Sequence, residues 1–193
     1  MKIRQLARLS ALLFPLFLAS PVLAQGLAPP PGGFGPDTFL VDAGNGNLEG
    51  VKKALNGGKN PNEVDKIDAT SALIAAAKGN HVNVMEVLIR DRALVDLKDK
   101  SGNTALNWAA ERGNTDAVKI LLDAGADPNT IDRSGATPLI KAAKIGNLDI
   151  VKLLVATKKV DVKRGDFTGV TALEWAERNR QTATVRYLRD AGG

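Results

Sequence analysis

Apolar and polar positions along this chain recur with a period of 33 residues. Leu73, Leu106 and Leu139 stand 33 apart, and Leu173 follows at 34. Two further columns move with them: an apolar row of Val51, Met85, Val118, Val151 and Val185, and a glycine or polar hinge at Gly46, Asn80, Gly113, Gly146 and Arg180. Independent columns sharing one register are the signature of stacked repeats. Within one unit Ala117, Val118, Leu121 and Leu122 fall at i, i+1, i+4 and i+5, an apolar stripe of helical period. A single short helix pair cannot bury that stripe, so neighbouring units must stack to do it. The pattern predicts an all-α solenoid of about five helix-turn-helix repeats joined by short hairpin loops.

The clearest copy runs Gly135-Ala136-Thr137-Pro138-Leu139-Ile140-Lys141-Ala142-Ala143-Lys144-Ile145-Gly146-Asn147, followed by Ile150-Val151-Lys152-Leu153-Leu154. The preceding copy carries Thr104-Ala105-Leu106 and ends in Ala124-Gly125-Ala126-Asp127-Pro128-Asn129. These segments resemble the ankyrin repeat, and the resemblance extends over residues 37–193. Each part has a physical reason. A threonine hydroxyl caps the first helix, and a proline after it fits the first turn without losing a hydrogen bond. The Ala-Ala pair keeps that helix thin for close stacking. The glycine near its end permits the turn into the second helix.

Repeats are expected at about 37–65, 66–98, 99–131, 132–165 and 166–193. The outer two depart from the pattern as the ends of a finite stack must, with polar outer faces. Lys52-Lys53 interrupts the apolar run of the first copy, and Thr184, Arg186 and Arg189 surround Val185, Tyr187 and Leu188 in the last. The first copy offers Asp37-Thr38-Phe39-Leu40 in place of Thr-Pro-Leu.

Upstream of the repeats the composition changes. Lys2, Arg4 and Arg8 precede an apolar run from Leu9 to Ala19, and Val22-Leu23-Ala24 supplies a small-residue cleavage site. That is the layout of a secretory signal peptide over residues 1–24. Its apolar run, broken by Pro15, is shorter than the roughly 18–20 residues that span a bilayer. A cysteine for lipidation and a twin-arginine pair are both lacking, so Sec-type export to a periplasm is expected, with secretion as the wider possibility. Residues 25–36, with Pro29-Pro30-Pro31 and four glycines, read as a flexible tether. No membrane association is expected after the leader is removed.

The leader also carries three of the 26 basic residues and none of the 21 acidic ones, which leaves 23 against 21, a net charge of +2. A nearly neutral remainder lacks the dense basic surface that counterion release from phosphates requires, so no nucleic-acid partner is expected. The chain has no cysteine, which removes disulfides, thiolate metal sites and thiol nucleophiles.

Candidate chemistry is sparse. His81 is the only histidine, and Ser71, Ser101 and Ser134 are the only serines after the leader. All sit at repeat positions, and no converging nucleophile and base can be assembled from them. Gly44-Asn45-Gly46-Asn47-Leu48-Glu49-Gly50 lacks the G-x-G-x-x-G spacing of a phosphate loop and reads as the first repeat's turn. Asp96, Asp99, Asp123, Asp127 and Asp132 miss the spacing of a calcium loop. No catalytic, cofactor or metal residue is assigned, and no cofactor is expected.

The ankyrin resemblance implies binding through hairpin tips and inner helices. Carried onto this chain, it nominates Lys100, Arg133 and Phe167 at the tips and Lys78, Arg112, Lys144 and Arg178 at the ends of the inner helices. The last four are read as one helical column, a positive ladder suited to an acidic protein face. Trp108 and Trp175 share another column with Ala75 and Lys141, and tryptophan at such a place is either framework or a binding hot spot. The expected function is a non-catalytic, monomeric protein-binding module of the periplasm that protects, tethers or inhibits its partner. The alternatives are a secreted effector that binds a host protein and a small-molecule binder or enzyme.

Overall fold

The structure, a computed structural model, describes residues 38–193. The leader expected over 1–24, the tether over 25–36 and Asp37 lie outside the described residues. Ten helices and no strand are found among the described residues, in five pairs: α1 (Phe39–Gly44) with α2 (Leu48–Asn56), α3 (Ala72–Lys78) with α4 (Val82–Arg90), α5 (Ala105–Arg112) with α6 (Thr115–Asp123), α7 (Pro138–Ile145) with α8 (Leu148–Ala156), and α9 (Ala172–Arg178) with α10 (Thr182–Asp190). The first helix of each pair packs on the first helix of the next, and the second helices stack behind them. The result is a two-layered solenoid whose core runs continuously between the layers.

The local reasons are those written in the sequence. Ser71, Thr104, Thr137 and Thr171 each accept the backbone N–H three residues on, from Ile74, Asn107, Ile140 and Glu174. Pro138 occupies the first turn of α7. The first copy, lacking this signal, forms only the six-residue α1, and Thr38 supplies no side-chain cap. Burial of Phe39 and Ala43 holds α1 in place instead. All five hinge positions take a left-handed backbone: Gly46, Gly113 and Gly146, and also Asn80 and Arg180, which lack glycine's freedom.

The apolar columns sort by position in the stack. Val51, Met85, Val118 and Val151 are fully buried, as are Leu73, Leu106 and Leu139, whereas Val185 and Leu173 of the fifth repeat are only partly covered. Thr184 departs from its expected place on the polar outer face. It is buried in the row that holds Val84, Ala117 and Ile150 in the other repeats, while Arg186 and Arg189 do face solvent.

Candidate interaction groove

The inner helices α3, α5, α7 and α9 are each preceded by a hairpin that begins with an aspartate, and this residue organises the inner face. Asp65, Asp99, Asp132 and Asp166 each donate their own N–H across the hairpin, to the carbonyls of Thr70, Asn103, Ala136 and Val170. The same four accept, on Oδ1, the amide two residues on, from Ile67, Ser101, Ser134 and Thr168. Successive tips are stitched by backbone bonds from Lys100 N to Asp68 O, Arg133 N to Ser101 O, and Phe167 N to Ser134 O. The stitching needs close approach: a Cβ on Gly135, whose φ is +82°, would lie 2.7 Å from the Phe167 nitrogen.

In three of these aspartates the second carboxylate oxygen meets a side chain of the following inner helix. Trp108 Nε1 donates to Asp99 Oδ2 at 2.7 Å, and Trp175 Nε1 donates to Asp166 Oδ2 at 2.9 Å. In the intervening repeat the same place is taken by Lys141, whose ammonium lies 2.8 Å from Asp132 Oδ2 and 2.8 Å from Glu111 Oε2. Burial alone would lower the Lys141 pKa, but the hydrogen bonds and charges of Asp132 and Glu111 outweigh it and raise it. Burial likewise pushes the Asp132 carboxyl up, and the Lys141 ammonium, the Ser134 hydroxyl and the Ala136 amide more than offset it. At Asp166 burial is overcome by hydrogen bonds from the Thr168 hydroxyl, the Trp175 indole and the Val170 and Thr168 amides, which hold the carboxyl down to about 2.

The nominated cations gather around the two indoles. Lys78 stands 4.2 Å and Arg112 5.9 Å from the centre of the Trp108 ring; Lys144 stands 4.7 Å and Arg178 5.5 Å from that of Trp175. Each indole is thus clamped between a cation of the preceding repeat and one of its own, an attraction set by the ring quadrupole. The expected single column is corrected in one respect. Counting back from the hinges, Lys78, Lys144 and Arg178 share a row whose member in the third repeat is Glu111, and Arg112 lies one residue further. The positive row is therefore broken into two clamps, with the neutralised Lys141 cluster between them. None of the four clamp cations makes an ion pair with a carboxylate among the described residues.

Lys100 and Arg133 are exposed at the tips, and Phe167 is 72% exposed. Two hollows open between tips and inner helices. One, of about 470 Å³, lies over Ala75 and is bordered by Val41, Asp65, Lys78 and Arg112. The other, of about 570 Å³, lies between Glu111, Lys141, Lys144 and Trp175.

The remaining polar candidates are committed to structure. His81 Nε2 donates to the Gly44 carbonyl at 3.0 Å, closing the end of α1 in the repeat before it. Asn114 serves Ala77 and Lys78, Asn147 serves Gly113, and Gln181 serves Ile145 in the same way. Ser71 caps α3, and the Ser134 hydroxyl donates to Asp132. In the loop from Gly44 to Gly50, Asn47 caps α2 through the Gly50 amide. Asp96 accepts the Asp127 amide. No helix among the described residues is long and apolar enough to cross a membrane.

Sequence reasoning missed the aspartates as the residues that orient the tryptophans. The signal was present, since Asp99, Asp132 and Asp166 each stand seven residues before the first leucine of their helix.

A solenoid of thin helix pairs with stitched hairpin tips defines a class of repeat proteins that present an extended binding face. The family model described as ankyrin repeats (3 copies) matches residues 39–132 and 125–193. The chain belongs to the ankyrin repeat family, whose members are generic protein-protein interaction modules and typically non-catalytic. A search of curated proteins gave no match.

Proposed function

We propose that this chain is an exported, non-catalytic binding protein that holds a partner with an acidic surface against its inner face, and so shields, tethers or inhibits it. The observation that carries this reading is the pair of tryptophan clamps, which hold four cations ready on one face without neutralising them. Their indole supports restrict the side chains before binding, which lowers the ordering cost of association. Lys100 and Arg133 extend the same charge to the tips, and Phe167 adds an apolar contact at one end. A rim of this kind speeds encounter with an acidic partner and selects against a basic one. Export to the periplasm is supported by the leader pattern of Lys2, Arg4, Arg8 and the apolar run after them. The binding unit is a monomer.

The test is affinity capture from periplasmic extract with the mature protein beside a variant carrying Lys78, Arg112, Lys144 and Arg178 changed to glutamate. A partner held by the native protein and lost from a variant with unchanged circular dichroism is the expected result. A partner held equally by both refutes the groove, and fractionation that leaves the protein in the cytoplasm refutes export.

A further inference from the structure

Of the four repeats with a hairpin aspartate, three fill one place in the groove with a side chain of their own, and one does not. The hairpin aspartate receives an N–H donor from Trp108 in the third repeat, from Lys141 in the fourth and from Trp175 in the fifth. The equivalent inner-helix position in the second repeat is Ala75, which has no donor to offer. Asp65 uses Oδ1 for the amides of Ile67 and Asp68, where its counterparts take those two and four residues on, since its hairpin is one residue longer; no donor among the described residues reaches its Oδ2. Where the indole would stand is the hollow of about 470 Å³, with Leu40, Val41 and Ala75 on its apolar side and Asp65 on its wall. Val41 on that side is 59% exposed.

We propose that this hollow is the seat of a tryptophan side chain carried by an acidic segment of the partner protein. The assignment rests on the groove reading above and names what enters it. An indole matches each wall. Its ring covers Leu40 and Val41, burying the roughly 150–250 Å² that an aromatic side chain brings. Its N–H reaches the open oxygen of Asp65, as Trp108 and Trp175 reach theirs. Lys78, which already stands over Trp108, borders the hollow and offers a cation to the ring. A lysine is a poorer occupant. Lys141 is held by Glu111 of the repeat before it, a row filled here by Gly44; Asp68 also lines the hollow, but an ammonium would face Lys78 and would leave Leu40 and Val41 uncovered. Carboxylates flanking the tryptophan in the partner segment pair with Lys78 and Arg112 at the rim.

The test uses three synthetic decapeptides of aspartate, glutamate and glycine with tryptophan, phenylalanine or alanine at the centre, titrated calorimetrically into the full mature chain. The tryptophan peptide is expected to bind at least tenfold more tightly than the alanine peptide, with phenylalanine between them. Ala75→Trp fills the hollow from within and should reduce the tryptophan peptide to the level of the alanine one. Ala75→Phe does the same without requiring Asp65, and both variants are checked for native circular dichroism. Equal binding of all three peptides overturns the proposal. If that common binding is also lost in the four-glutamate variant, the cationic groove stands and only the seat falls. Undiminished binding to either folded Ala75 variant also overturns it. Selective binding that Ala75→Trp abolishes upholds the seat even where capture from extract yields no partner.

Discussion

Replacing Lys141 by methionine removes one ammonium and leaves two carboxylates behind. Lys141 and Asp132 side chains are only 10% and 11% exposed, so the loss falls mainly on Asp132, while Glu111, at 44%, can turn to water. Breaking a fully buried ion pair costs about 3–5 kcal/mol. Asp132 keeps the Ser134 hydroxyl and the Ser134 and Ala136 amides, and the methionine retains the apolar stem, so about 2–3 kcal/mol is expected here. That is a large share of the roughly 5–15 kcal/mol that holds a domain of ordinary size together. Urea denaturation at pH 7, followed by circular dichroism, measures it. The pH dependence gives a second check. The Asp132 pKa is lowered on folding, so the pair's contribution is complete above the ordinary carboxylate value of 3.8 and is lost as pH falls through the lower folded value. The Lys141 pKa is raised above 10.5, so the contribution persists through neutral pH and disappears only as pH rises past that higher folded value. The gap between native and variant should therefore be widest near neutrality and close at both extremes. Lys141→Trp, which restores a donor to Asp132, should lose less than about 1 kcal/mol, within the range of one net hydrogen bond. A methionine variant within about 0.5 kcal/mol of the native protein at pH 7, the size of an ordinary surface change, would refute the reasoning.

Three further outcomes are expected. Leu121→Ala empties a fully buried site in the central repeat and should cost about 2–5 kcal/mol, read as a lower urea midpoint; an unchanged midpoint would contradict the core described here. Arg180→Gly relieves a left-handed backbone at an exposed hinge and should gain about 0.5–1 kcal/mol, seen as a raised melting temperature, whereas a lowered one would show that the side chain contributes something else. Asp166, with its pKa held to about 2, stabilises the last hairpin above pH 3.8 and loses that effect as pH falls toward 2; the melting-temperature advantage over Asp166→Asn should shrink across that interval, and a constant difference would count against it.

The parts of the fold that follow from local chemistry were readable in advance. Threonine before Ala-Leu or Pro-Leu marked where inner helices start, and the hinge column picked out five left-handed residues, two of them not glycine. Thr184 defeated the reading because its neighbours Val185 and Arg186 make the segment look like an outer face, while its place in the repeat register puts it inside. The groove was less legible. All nine nominated residues fall at tips or inner helices, but the clamp around each indole joins side chains of different repeats, 30 or more residues apart along the chain for Lys78 with Trp108 and Lys144 with Trp175. Adjacent Glu111 and Arg112 blurred the column by one residue, although counting back from the Gly113 hinge gives Glu111, and its contact with Lys141 agrees.

The side chains that close the inner helices all reach in one direction. His81, Asn114, Asn147 and Gln181 are donors in a later repeat, and their acceptors are carbonyls of the repeat before. At the inner-helix ends the link between successive repeats thus has a polarity. Synthesis delivers the earlier repeat first, so each new one emerges with a donor for a helix end that is already waiting. Shortening the stack from its C-terminal side returns those carbonyls to water, whereas shortening it from the other side strands a donor that has lost its purpose.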